Sequence, residues 1–454
     1  MTAEIAILNK AAVALAADST VTIGGSDTKK TYQSANKLFT LSKHEPIGVM
    51  VYGSAGLMDV PWETIIKQYR GELGTKGFPI ISDYVKDFIR FLERSTKGIF
   101  TGDLQRSWLA MSVLGYFDDV LLGDEDEDTD GINHAVKKAA TAAGGTLSAK
   151  EIAKIASDII NDHWDKTVSA IKLLPVLPKQ FENRIARDYR KSIDAAIKQS
   201  FKLLPISTKT RQNLRRIAAR IICGEVFPDN LMSGVVFAGF GREQIFPECR
   251  TIAPQCIAGN RLVYMHEAGE SHAVTHENGA VLIPFAQKDV VDSFLRGIDR
   301  RYLKIVNEAM KTISHDYPAL ALQYCGTTDP AKKAEIQKKL AEQTKKLAKD
   351  LQKKLNEHRD EHHVHPLLAI IGILPKNELA EMAEALVSLT SLKRKMSRDL
   401  ETVGGPIDVA VISKGDGFIW IKRKHYFKPE FNPNFARNYL RENAYENHRP
   451  KARS

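Results

Sequence analysis

Thr2-Ala-Glu-Ile-Ala-Ile-Leu-Asn-Lys-Ala-Ala-Val-Ala-Leu-Ala-Ala-Asp18 holds two apolar runs, residues 5–8 and 12–16, on either side of Asn9-Lys10. Runs of that length around a two-residue turn predict a β-hairpin. A second pair follows at 37–41 and 47–52. Both pairs are apolar on both faces, as expected of a sheet buried between other layers. Residues 62–73 and 79–96 then change to helical periodicity, with Ile65, Ile66 and Tyr69 in the first segment and Tyr84, Phe88 and Phe91 in the second.

Strand signals fade between about 100 and 230, where polar helical segments take over. Ser148 is placed to cap one of them, and Ser207 or Thr208 another that carries Arg211, Arg215, Arg216 and Arg220. Strands are expected again at 234–240, turning at Gly241-Arg242 into 244–246, and further on at 261–266 and 280–284. A long helix is expected over about 288–313. The block 331–363 reads as a basic amphipathic helix with Ile336, Leu340, Leu347, Leu351 and Leu355 as its apolar stripe. A helix at 376–399 precedes a last hairpin, 407–412 and 418–421, turning at Lys414-Gly-Asp-Gly417. The tail from Lys428 reads as an extended arm.

Strand hairpins, two helices, strand hairpins, helices and a final hairpin are satisfied by two sheets packed face to face with helices outside each. The expected class is therefore α+β, a four-layer αββα sandwich with helical insertions. The expected division is a core in three parts, 1–99, 232–325 and 376–427. Helical insertions at 100–231 and 326–375 interrupt it, and the arm 428–454 ends it.

The 454 residues allow a large core, and 43% hydrophobic with 26% charged residues is ordinary for a globular protein. A formal charge of +10 is spread widely along the chain, a weak pointer to nucleic acid. Four cysteines without C-x-x-C spacing, and a first stretch lacking a basic region and a long apolar run, fit a reducing cytoplasm and no membrane. No cofactor or metal is expected. Asp126-x-Asp128-x-Asp130-Gly131 begins like a calcium loop, but Lys137 stands where the bidentate Glu belongs. His358, His362, His363 and His365 lack the H-E-x-x-H pattern, and the Arg/Lys faces at 209–220 and 332–354 read as solvated.

Chemistry is expected at Thr2. Trimming of Met1 before this small residue leaves a threonine with its own hydroxyl nucleophile and its own amine base. An α-amine has a reference pKa of roughly 7.7–8.0, so a nearby ammonium pushes it toward the neutral form. Lys37 can supply that ammonium and Asp18 can aim it. A backbone N–H at Gly53 can stabilise the developing oxyanion.

These residues resemble the proteasome β-subunit family and its bacterial relative, the HslV peptidase, both N-terminal-nucleophile hydrolases. The resemblance rests on the Thr2-to-Asp18 spacing, Ser34-Ala-Asn-Lys37-Leu-Phe, Tyr52-Gly53-Ser-Ala-Gly56, and Arg398-Asp399-Leu-Glu-Thr402-Val-Gly404-Gly405 with its following hairpin. It covers about 1–98, 232–313 and 376–425. Three extra residues separate Asp18 from Lys37, Thr402 stands where the family has Ser, and Val403 is an insertion. The resemblance implies supporting roles for Asp399 and Thr402, a polypeptide substrate, a homo-oligomer and a possible unfoldase partner. The expected activity is that of a threonine-type peptidase. The alternatives are an amidase of the same mechanism acting on a small molecule, and an inactive assembly or binding protein.

Overall fold

In the computed structural model the described residues are 3–23, 30–123, 131–202, 204, 206–226, 232–324, 329–397 and 403–434. The chain opens with a hairpin, β1 (Ala3–Asn9) and β2 (Ala12–Ala17). It continues through a small ribbon, β3 (Val21–Ile23) with β4 (Lys30–Tyr32), into a second hairpin, β5 (Leu38–Thr40) and β6 (Ile47–Gly53). A two-residue pair, β7 (Gly56–Leu57) and β8 (Val60–Pro61), leads to α1 (Trp62–Leu73) and α2 (Ile81–Arg94).

Six helices follow: α3 (Gly102–Tyr116), α4 (Ile132–Ala142), α5 (Ala149–Lys166), α6 (Phe181–Asp188), α7 (Arg190–Ser200) and α8 (Thr208–Cys223). Ser148 closes a capping box with Glu151 at the start of α5, and the Ser207 hydroxyl accepts from the Thr210 amide at the start of α8. Then come β9 (Ser233–Gly239), β10 (Glu248–Ala258), β11 (Arg261–Ala273) and β12 (Ala280–Ala286). They are followed by α9 (Asp289–Arg296), α10 (Arg300–Gln323), α11 (Pro330–Arg359), α12 (His365–Ile373) and α13 (Lys376–Lys395). The last hairpin is β13 (Asp408–Ser413) with β14 (Gly417–Lys422).

The fold is α+β with antiparallel sheets. One five-stranded sheet has the order β12-β1-β2-β13-β14, and the other β11-β10-β9-β6-β5. Period-2 alternation sorts their side chains. In the first sheet Ile5, Ile7, Ala14, Ala16, Val409 and Val411 join Leu379, Ala383 and Val387 of α13. Alanine dominates β2 there, which lets the helix lie close. The alternate residues Leu8, Val13, Leu15 and Ile412 meet Met50, Tyr52, Val236 and Ala238 of the second sheet. The other face of the second sheet, Val49, Val51, Val235 and Phe237, packs on α1 and α2 and continues into α3–α8.

Two expectations are corrected. Residues 244–246 are not a strand: the Gln244 side-chain oxygen Oε1 accepts from the Gly241 amide (2.8 Å) and the Ile81 amide (3.1 Å), and its Nε2 donates to Glu248 (2.6 Å). Gln244 thus organises a loop, and the strand starts at Glu248. β10 is absent from the expected strands; it contains Pro254, which is tolerated because pairing with β9 stops at Ile252. The helix expected over 288–313 is broken at Gly297, whose φ of +67° ends α9, and Asp299 caps a new helix that runs on to Gln323.

Candidate functional site

At one end of the packed sheets, three charged side chains join the first sheet to the second. Lys37 precedes β5, and the Val51 amide donates to its carbonyl (2.8 Å), which fixes its backbone against β6. Its ammonium crosses to the first sheet, donating to Asp18 Oδ1 and lying 3.2 Å from Glu4 Oε1. The Lys37 side chain is 7% exposed and both carboxylates are fully enclosed. Burial at that depth is sustained only by pairing and hydrogen bonding, because an unpaired ion there costs several kcal/mol.

Asp18 is the junction. Oδ1 accepts from the Ala3 amide (3.1 Å) as well as from Lys37, and Oδ2 accepts from the amides of Thr20 (3.2 Å) and Gly404 (2.9 Å). The Asp18 amide in turn donates to the Ala3 carbonyl (3.1 Å). The Lys37 ammonium and the first amide after Thr2 therefore converge on one oxygen. Gly404 is tied in further, its carbonyl accepting from the Ser19 amide (3.2 Å) and the Thr20 hydroxyl (2.8 Å). Gly405 adopts φ +74°, where a side chain would meet Gln33.

Gly53 closes β6 in an exposed position, two residues beyond Val51 and so beside Lys37 along the same strand pair. Its φ is +80°, and a Cβ would lie 2.3 Å from the Met232 carbonyl oxygen. Gly53→Ala is expected to cost about 1–3 kcal/mol for that conformation and close approach, read as a lowered urea midpoint. A change below about 0.5 kcal/mol would show that the strand end yields freely.

Of the residues expected to act, Asp18 and Lys37 touch, and Gly53 lies at the same end of the sheets. Thr2, Asp399 and Thr402 lie outside the described residues, as does the acidic run 124–130. His358 and His362 lie 4.3 Å apart between ring centroids with their planes tilted by 49°, and no cluster of three or more His, Cys, Asp or Glu suited to a metal occurs among the described residues. Among those residues, too, no helix is long and apolar enough to cross a membrane.

Sequence reasoning missed Glu4, Ser19 and Thr20. Glu4 had a visible signal: it is the one charged residue of β1 and shares the inward alternation of Ala6 and Leu8. Ser19 and Thr20 had none, since their hydroxyls donate to backbone carbonyls almost four hundred residues away.

No family model matches the chain, and no curated protein matches it. Similar solved structures include an Anbu Gly-1 mutant from Hyphomicrobium sp. strain MC1, at 10% identity, covering 100% of both chains with a TM-score of 0.25. Anbu (ancestral beta-subunit) from Yersinia bercovieri aligns at 8% identity over 100% of this chain and 99% of its own, again at 0.25. A second Hyphomicrobium Anbu structure gives 8% identity, 99% and 100% coverage, and the same score. A TM-score of 0.25 carries no argument about fold, activity or assembly. The resemblance to the proteasome β-subunit family and HslV is corrected accordingly: the similar structures are Anbu proteins, and only weakly so. What can be said of this site rests on its own geometry.

Proposed function

We propose that the chain is a threonine-type N-terminal-nucleophile hydrolase of amide bonds, with peptides as substrates and a four-layer αββα arrangement as its frame. The observation that carries this reading is the sharing of Asp18 Oδ1 by Lys37 and the Ala3 amide. It holds a buried ammonium one oxygen away from the peptide bond that follows Thr2.

After loss of Met1, the Thr2 hydroxyl attacks the substrate carbonyl and its proton passes to the Thr2 α-amine. The positive charge of Lys37 favours the neutral amine, and Asp18 with Glu4 holds Lys37 in place. The Gly53 N–H donates to the oxyanion. Collapse breaks the C–N bond, and the leaving amine takes the proton from the Thr2 ammonium. Water then attacks the ester, its proton passing to the amine, and the acid leaves as Thr2 is restored. Asp399 and Thr402 are proposed to support the amine.

Intact mass and labelling test this together. The expected result is loss of Met1 and one adduct of a peptide epoxyketone, which requires both the hydroxyl and the amine of one threonine. A retained Met1 would end the proposal. Loss of Met1 with turnover of small amides and none of peptides would reassign the substrate to a small molecule.

A further inference from the structure

Gln287 holds a buried hydrogen-bond donor with no acceptor among the described residues. It follows Ala286, the last residue of β12, and is 4% exposed. Its Oε1 accepts from the guanidinium Nε of Arg394 on α13, while its enclosed Nε2 donates to nothing. An arginine only donates, so the carboxamide oxygen has to face it and the nitrogen is turned away. A donor buried without a partner is costly, and each one in a folded protein calls for a reason.

The backbone sets the same side chain apart. Ala286 adopts φ +55°, a left-handed conformation uncommon outside glycine, and ends the pairing of β12 with β1. Gln287 thus leaves the ladder and meets α13, where Arg394 is 12% exposed and 3.8 Å from Asp289 at the start of α9. Carboxylate, guanidinium and carboxamide form a line from α9 to the end of β12.

That line ends beside the first residues of the chain. The last pair of the ladder is Ala286 with Ala3, and such partners lie about 5 Å apart. Gln287 follows one member of the pair, and Thr2 precedes the other. While Met1 is attached, the nitrogen of Thr2 is an amide with no lone pair to offer. Trimming makes it an amine that has one. We infer that Gln287 is a positioning residue, its Nε2 donating to the neutral α-amine of trimmed Thr2 while Lys37 acts from the second sheet. The inference rests on the threonine mechanism proposed above.

An amide N–H can bond to an amine but not to an ammonium. The contact therefore favours the neutral base, and it makes the ammonium a readier acid toward the leaving amine. The charges around this end, among the described residues, are paired. Glu4 and Asp18 pair with Lys37, Asp289 with Lys393 and Arg394, and Asp299 with Lys393. Lys288, next in sequence, adds a positive charge.

The test titrates the amine itself in the full chain. Acetic anhydride acetylates only the neutral amine, so the acetylation rate of Thr2 against pH, read from the mass of the N-terminal peptide, gives its midpoint. The expected midpoint lies below the ordinary range of roughly 7.7–8.0. Gln287→Leu removes the donor at similar volume and should raise the midpoint by about half a pH unit or more. Gln287→Glu presents an acceptor to the ammonium and should raise it by about one pH unit or more. Peptide turnover by Gln287→Glu should fall about tenfold near neutral pH and recover as pH rises through the new midpoint, a recovery that misfolding does not give. Because Gln287→Glu keeps a partner for Arg394, it decides the matter even where Gln287→Leu fails to fold. A Gln287→Glu midpoint within about 0.2 pH unit of wild type overturns the inference. Wild type that is labelled by the epoxyketone, with an unshifted variant, sinks the role of Gln287 alone. A retained Met1 or an unlabelled Thr2 sinks the mechanism and this inference together.

Discussion

Thr2→Ala should lower amide hydrolysis by about 10³-fold or more while leaving the urea unfolding midpoint unchanged. The substitution removes one hydroxyl. Alanine is also small, so Met1 is trimmed as before and the free amine is kept. The loss can then be charged to the nucleophile alone, and intact mass verifies the trimmed end in the same sample. Thr2→Ser retains hydroxyl and amine and should keep measurable turnover. Turnover by Thr2→Ala equal to wild type would sink the mechanism, because no other residue is proposed to attack. An effect this large follows from the way nucleophile, base and oxyanion donor act as a unit, so that losing one member costs nearly as much as losing all.

The second large effect concerns the fold. Lys37→Met leaves Glu4 and Asp18 enclosed with no cation between them, and should destabilise the protein by about 3–5 kcal/mol. Asp18 retains the amides of Ala3, Thr20 and Gly404, whereas the 3.2 Å ion pair of Glu4 is lost outright. Adding Glu4→Gln to Lys37→Met removes one of the two buried negative charges and should recover part of that loss, a coupling that distant, independent sites do not show. Urea unfolding of the single and double variants reads both numbers. A Lys37→Met cost within about 0.5 kcal/mol would mean that water reaches the trio freely, contrary to its burial.

Much of this arrangement is legible in the sequence. Asp18 and Lys37 are charged residues at the ends of apolar runs, and a charge there needs a partner, so each pointed to the other. The two terminal hairpins were legible because short apolar runs around turn residues admit few other solutions. Glu4 was passed over because it sits inside a run that reads as strand, where a single carboxylate looks like an interruption instead of a member of the inward row. The break at Gly297 was obscured by apolar residues that continue on both sides of it. That the apolar stripe of α11 stays unburied was out of reach for another reason. Periodicity says that a face is apolar, but only packing says whether the rest of the chain covers it.

The junction at Asp18 has a consequence for when the protein becomes complete. Its four donors come from residues 3, 20, 37 and 404, and the last lies 386 positions along the chain. β13, which follows that glycine, is also the strand that covers the free edge of β2. During synthesis β1 and β2 emerge long before β13, leaving β2 an open edge and Asp18 short of a donor until the last hairpin arrives. Contacts of such long range form late. The surroundings of Asp18 are thus complete only once Gly404 and β13 have been made, long after the two strands they close upon.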